Sequence, residues 1–479
     1  MKKQFFLLFK SLLLAIAIII CSNAQSSEPL KLSLDDCVQY SIKNSTTIKN
    51  ATLDEEIAAA KVREVRGIGL PQVNGSAGLQ HFLKLRNSYL PGDSPLASLP
   101  PGSPVPDVLV LPAIFQLPTN LDASITASQI LFSSSYIVGL QAANTYKQLA
   151  QKSAEQTKEQ VANNVKKAYL ITLINIERMK IFDANIARLD SSLKQLKVSQ
   201  KNGFVEQIEV DRLEVSLNNL LTEYEKTLNL LVLSSLNLKF QMGMPIEQDI
   251  ILTDSLSKFS SPSEADFSEQ PNIKNKAEYQ LLKLRVKGEK LNLKNNYAEA
   301  LPTLVLSGSI GTFSSSNNFN IFQDRNIVVL KNLDGTSAPE IKNQNLYWST
   351  YSLVQLGLNV PIFSGLSRSS KVQQSKLNLQ KAENTLKNYE EAMNLQLQTA
   401  KVNLQNSQKS LVIQKRNVDL AQNVSNVTYK KYLAGVGSSL EVTNAESSLK
   451  EAQVNYFNAL FDYLVNKIDY EQAAGLTKF

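Results

Sequence analysis

The stretch from Gly365 to Leu433 contains no proline and, after its first residue, no glycine before Gly435 and Gly437. At about 1.5 Å per residue, a helix of this length reaches roughly 100 Å, several times the diameter of a small domain. Such a rod cannot fold around itself and needs a partner. Leu397, Leu404, Leu411 and Val418 recur every seven residues while Gln, Asn, Lys and Ser cover the other faces, a coiled-coil pattern. The partner follows after the two glycines, which suit the left-handed backbone that ends a helix. Val442, Ala445, Leu449, Ala452, Tyr456, Ala459 and Tyr463 form its seam, so the segment predicts a helical hairpin with its tip at 433–439.

The start of the chain bounds the compartment. Lys2 and Lys3 precede an apolar run from Phe5 to Ile20, and Ser22-Asn23-Ala24 supplies a small-x-small cleavage site, so residues 1–24 read as a secretory signal peptide. A competing reading acylates Cys21, although the bulky Ile20 fits poorly before a lipidated cysteine. Removing the signal lowers the formal charge from +7 to +4, with no basic run interleaved with aromatics, which argues against nucleic-acid binding. Only Cys37 remains, which excludes an intramolecular disulfide framework. No later stretch has the length and apolarity of a membrane-spanning helix, so any membrane insertion must use a β-barrel.

From Ser33 to about Gly69 the pattern is helical, opened by a capping serine with Asp35 and Asp36 in the first turn. Leu70-Pro71 stops it. Val73, Gly75, Ala77 and Leu79 then alternate with polar residues, the period of a strand. Residues 86–118 hold eight of the sixteen prolines and predict a long loop. Alternation resumes with Leu121, Ala123, Ile125 and Ala127. A second rod from Ser133 to Lys201 carries Ile186, Leu189, Leu193 and Leu196 on one face, turns at Asn202-Gly203, and returns along Val210, Leu213, Leu217, Leu220 and Tyr224.

The plan then repeats. Leu70-Pro71 matches Leu301-Pro302 and Phe132-Ser133 matches Phe363-Ser364 at an offset of 231, while Gly203 matches Gly435 and Glu209-Val210 matches Glu441-Val442 at 232. The chain divides into a first repeat at 25–242, a linker at 243–270 and a second repeat at 271–479. Strands are expected at about 71–85, 119–131, 302–313 and 348–361, with loops at 86–118 and 314–347. Tyr347, Trp348 and Tyr351 cluster where the last strand begins, as aromatics do at a membrane interface.

Four strands with one polar and one apolar face cannot close a barrel alone, because the smallest outer-membrane barrels use eight. Open edges within lipid would leave backbone groups unsatisfied, so several chains must share one barrel. The predicted fold class is mainly α with a membrane β part.

The tandem repeat, the Leu-Pro entries, the exit Phe363-Ser364-Gly365 and the turns Asn202-Gly203-Phe204-Val205 and Tyr432-Leu433-Ala434-Gly435 resemble the TolC family of outer-membrane efflux proteins over almost all of the mature chain. The resemblance implies a homotrimer in outer-membrane lipid. Its twelve-stranded barrel would continue into a periplasmic α-helical tunnel, with the linker forming part of an equatorial belt. It also implies a passive export duct that docks onto a periplasmic adaptor (membrane fusion) protein and an inner-membrane pump, in efflux or type I secretion.

The family's gate lies at the periplasmic tips, and the matching positions are Tyr432 and Glu209. A tyrosine hydroxyl donating to a carboxylate would make a charge-assisted, breakable bond. The alternative is that Tyr432 continues the heptad and Glu209 is a solvated acid at a helix start. Glu441 fits the first position of the family's acidic ring, or is an ordinary first-turn acid, and Asn444 occupies the second. Gly437 stands where some members place a basic linking residue. The turns, with Gly203, Phe204, Gly435 and Gly437, are the candidate adaptor-contacting surface.

Catalysis has little support. His81 is the only histidine, and neither a phosphate loop nor a metal-spaced cysteine pair occurs, so no catalytic, cofactor or metal site is expected. A second function class is a periplasmic coiled-coil adaptor outside the membrane. An adaptor would carry one hairpin flanked by small β-domains, whereas this chain has two hairpins and four alternating strands.

Overall fold

The computed structural model describes residues 29–94, 104, 106–111, 116–259, 271, 273–317, 319, 325–329, 340–344 and 348–476. The signal peptide expected at 1–24 with Cys21, Tyr347, and parts of both expected loops and of the linker lie outside these residues. In chain order the elements are β1 (Leu30–Leu32), α1 (Leu34–Asn44), α2 (Thr46–Ile68), β2 (Gln72–His81), β3 (Ser88–Pro91), β4 (Val108–Leu111), β5 (Thr119–Ser133), α3 (Ser134–Lys201) and α4 (Gln207–Met242). They continue with β6 (Ile250–Leu252), α5 (Ala277–Ala298), β7 (Thr303–Ser316), β8 (Arg325–Val329), β9 (Glu340–Gln344), β10 (Ser349–Asn359), α6 (Ser367–Leu433) and α7 (Ser439–Ala474). Two compact units result: a helical one of residues up to Ala59, Thr145–Gly288 and Leu379 onward, and a sheet one of Ala60–Asn144 and Glu289–Asn378.

Freedom from proline lets α3, which carries the single glycine Gly139 near its start, and α6 run for 68 and 67 residues, most of them in the helical unit. Each returns as a helix of 36 residues that ends at a left-handed glycine, Gly243 at φ 70° and Gly475 at φ 72°. The main core gathers Tyr169 and Leu173 of α3, Leu238 and Met242 of α4, Leu404 and Leu411 of α6, and Leu460 and Tyr463 of α7. Cys37 is buried in it, and burial pushes its thiol up to about 12, so it is an inert packing residue.

The single helix expected from Ser33 to Gly69 is two helices that break at Ser45, whose backbone is extended (φ −57°, ψ 125°). The cause is tertiary. A Cβ on Gly243 would stand 2.8 Å from Ser45 Cα, so the end of α4 is seated on this break and only glycine fits there. The linker is also not separate from the repeats. Its β6 pairs in parallel with β1, and Asp254 accepts hydrogen bonds from the Leu34 N–H (2.8 Å), the Tyr169 hydroxyl (3.0 Å) and the Lys258 ammonium (3.0 Å).

The sheet unit holds four antiparallel strands in the order β10-β7-β5-β2, so β5 of the first repeat pairs with β7 of the second and the edges are β2 and β10. Register places Val73, Ala127, Ile125, Ile310, Val354 and Leu356 on one face and Asn74, Ser76, Ser124, Thr126, Ser307 and Gln355 on the other. Asp122 is the one charged side chain that the four strands place on the polar face. Tyr351 departs from the interface-belt expectation. It shares the polar face with Gln355 and lies across Gly311, where a Cβ would stand 2.6 Å from its ring. The loops are less irregular than their prolines suggest, since β3 pairs with β4 and β8 with β9 as short antiparallel hairpins. Among the described residues, no helix is long and apolar enough to cross a membrane.

Candidate gate and docking surface at the helical tips

Both tips are built the same way. At the first, Gly203 takes φ 77° and the Phe204 N–H donates to the Ser199 carbonyl at 3.0 Å. At the second, Gly435 takes φ 74° and the Val436 N–H donates to the Lys431 carbonyl at 3.1 Å. This glycine-centred closure satisfies the last carbonyls of each rod and normally tucks the following apolar residue against its helix. Here Phe204 is 83% exposed and Val436 78% exposed, so each turn offers an apolar side chain outward. Gly437 is constrained differently, since a Cβ there would stand 3.0 Å from the Tyr432 backbone nitrogen. No basic linking residue occupies its position. Ser438 caps α7 by accepting from the Glu441 N–H at 3.2 Å.

Between the tips lies a groove of about 410 Å³ lined by Ser192, Gln195, Phe204, Tyr429, Tyr432 and Val442. Tyr432 is half-buried against the apolar seam of α3 and α4, which includes Leu193, Leu196 and Leu213, as is Val205 of the intervening turn. Burial raises its hydroxyl pKa, and the negative charge of Glu209 raises it further, so it stays a neutral donor. The structure thus brings Tyr432 and Glu209 within electrostatic reach, without the direct hydrogen bond expected from the sequence. The Glu209 carboxylate stands 3.7 Å from Arg212 one turn along α4.

Glu441 and Asn444 are both exposed at the start of α7, three residues apart and so on one face. Neither side chain has a partner among the described residues. Also among the described residues, no group of three or more His, Cys, Asp or Glu side chains is placed to hold a metal ion.

A polar cluster missed by the sequence reading lies behind the groove. The Arg188 guanidinium of α3 donates to the Glu446 carboxylate of α7 at 2.5 Å and to the Ser425 hydroxyl of α6 at 3.2 Å. Ser425 in turn donates to Glu446 at 2.6 Å, and the Asn185 amide donates to Gln453 at 3.0 Å. Nearer the tip, the Ser192 hydroxyl donates to the Tyr429 hydroxyl at 3.1 Å. The signal was present in the sequence, because Asn185, Arg188, Ser192 and Gln195 recur at the same three-and-four spacing as the apolar seam beside them.

Residues 282–476 match the family described as outer membrane efflux protein. No curated protein matches the chain at a significant level. Solved structures match it almost end to end. A membrane protein from Pseudomonas aeruginosa has 14% identity and a TM-score of 0.67, the match covering 92% of each chain. The outer membrane protein VceC from Vibrio cholerae has 13% identity and a TM-score of 0.66, covering 92% of this chain and 96% of that one. The CmeC outer membrane channel of Campylobacter jejuni has 15% identity and a TM-score of 0.65, with 92% and 85% covered. Residues 282–476 are thus similar to the outer membrane efflux protein family, and the chain as a whole carries the fold of these solved outer-membrane proteins.

Proposed function

We propose that this protein is the outer-membrane duct of a tripartite export system, a passive homotrimeric channel whose energy comes from an inner-membrane pump. The observation that carries this reading is the four-stranded sheet with an apolar face, a polar face and two unpaired edges. Three copies joined β2 to β10 would leave no open edge, turn the apolar faces to lipid and line the lumen with polar ones. The helices support lateral assembly too. Leu395, Val402, Ile413, Leu420, Val424 and Val427 form one exposed apolar stripe along α6, and Ile208, Val215, Leu233 and Phe240 form another along α4. Each stripe would cover the other on the neighbouring copy, forming the periplasmic tunnel.

The exposed Phe204 and Val436, presented by turns at Gly203, Gly435 and Gly437, are apolar anchors for the periplasmic adaptor. Substrates would pass as small molecules in efflux or as polypeptides in type I secretion. A heat-modifiable trimer in outer-membrane fractions is the expected result. Purely soluble periplasmic material would instead favour the adaptor reading, which leaves the apolar sheet face without a role.

Glu441, with Asn444 behind it, would present three carboxylates around the channel axis and favour cations. Tyr432 and Glu209 would bias the tips toward closure. Replacing Tyr432 with Phe and Glu209 with Gln should raise conductance in planar bilayers about two- to threefold, the scale of one weak polar contact. Conductance equal to wild type would remove that pair from the gate.

A further inference from the structure

On its polar face the sheet is tied across its strands by short hydroxyl and amide pairs, with one gap. Ser76 and Ser124 share a hydrogen bond of 2.9 Å, and the Ser315 hydroxyl donates to the Asn120 amide oxygen at 2.7 Å. Asp122 stands between those two pairs on β5, exposed, and has neither an ion-pair nor a hydrogen-bond partner among the described residues. Its neighbours are unusual for a polar surface. Phe313 lies directly opposite it on β7, and Tyr351 follows diagonally on β10, at 43% and 46% exposure. A Cβ on Gly78 would stand 2.7 Å from the Asp122 carboxylate, as one on Gly311 would crowd the Tyr351 ring, so both side chains lie down against the strand beside them.

We propose that Asp122, Phe313 and Tyr351 form a binding site for bulky organic cations on the luminal face of the sheet, near its loop end. The luminal placement rests on the duct reading, whereas the three side chains belong to one sheet of one chain. Neighbouring strands stand about 4.8 Å apart, so β5 and β10, on either side of β7, set the carboxylate and the phenol ring roughly 10 Å from each other with Phe313 between them. That span matches a cation carried on an apolar body of similar breadth. The carboxylate supplies the opposite charge, and the rings cover the body while adding cation–π attraction. Rings without the acid would hold neutral and charged bodies alike. The acid without the rings would hold any small cation, which keeps most of its water. The site is open to solvent, so each contact is weak, and a lumen needs that weakness because what enters must also leave. Asp122 lies three residues into β5, whose first residue Thr119 follows the long first loop, so the cation would be met close to that loop.

The test is equilibrium dialysis of the full chain in detergent, corrected for the micelles alone, with two probes of one shape and opposite charge, tetraphenylphosphonium and tetraphenylborate. Asp122→Asn should weaken binding of the phosphonium about fivefold, the scale of a solvent-exposed charge contact, and leave the borate bound no more weakly. Phe313→Leu should weaken the phosphonium about threefold, as loss of one exposed cation–π contact does. Asp122→Glu keeps the charge and should bind within about twofold of wild type, which a merely structural role for Asp122 would not predict. Wild-type protein that binds no phosphonium, or an Asp122→Asn variant that weakens both probes equally or neither, would overturn the site. The duct reading fails by a different result, the absence of a trimer from outer-membrane fractions. With phosphonium binding intact, that result would remove the luminal placement and leave the cation site standing.

Discussion

Replacing Ile310 with Arg should abolish outer-membrane assembly, while replacing its neighbour Ser309 with Arg should leave it intact. Ile310 lies mid-strand in β7 between Ile125 and Ser352, on the apolar face, and is 62% exposed. Ser309 pairs with Thr126 and Leu353 on the opposite face. A basic residue facing lipid near the bilayer midplane costs about 2–4 kcal/mol, and a trimer would bear that cost in every copy. Facing the lumen, the same charge keeps its water. The measurement is the yield of heat-modifiable trimer in outer-membrane fractions. Equal yields from the two variants would show that neither face meets lipid.

Replacing Asp254 with Ala is expected to be the most damaging change in the linker, lowering stability by about 2–3 kcal/mol, because a half-buried N–H and a buried tyrosine hydroxyl lose their acceptor together. Burial by itself pushes the Asp254 carboxyl up. The Leu34 N–H, the Lys258 ammonium and the Tyr169 hydroxyl outweigh that effect and hold its pKa below the ordinary 3.8. A carboxyl lowered on folding contributes stability above its unfolded value, and loses it as pH falls through the lowered folded value. Wild type should therefore keep this contribution at neutral pH and lose it only below the ordinary range, whereas Asp254→Ala should show no such loss. Urea midpoints of the detergent-solubilised protein between pH 7 and pH 3 would test this, and parallel curves for the two proteins would refute it.

The sequence carried the long elements well, because length and period speak directly to them. A run without proline or glycine and a heptad of leucines leave few alternatives to a rod, and alternation at 72–80 and 120–128 leaves few to a strand. What it did not carry depends on residues distant in the chain. β1 and β6 are three residues each, too short for any period, and they exist because each supplies the other's hydrogen bonds across more than two hundred residues. The break at Ser45 has no proline or glycine to announce it, and its cause is the approach of Gly243. Tyr351 was grouped with its sequence neighbour Trp348, although register assigns it to the polar face beside Gly311. At the candidate site, the turns and the Tyr432–Glu209 neighbourhood follow from the repeat. The Arg188 cluster was passed over because polar residues on a long helix are usually solvated.

The pairing of β5 with β7 joins strands about 180 residues apart, with α3, α4 and α5 lying between them in the chain. Non-local pairing of this kind is slow, since loop closure must precede any gain from contact. During synthesis and export, the first hairpin of β2 and β5 therefore travels with both edges bare until Thr303–Ser316 arrives. In that interval it is a template for the same strands of another nascent chain. A carrier that occupies the edge of β5 in transit would set the folding yield of this protein.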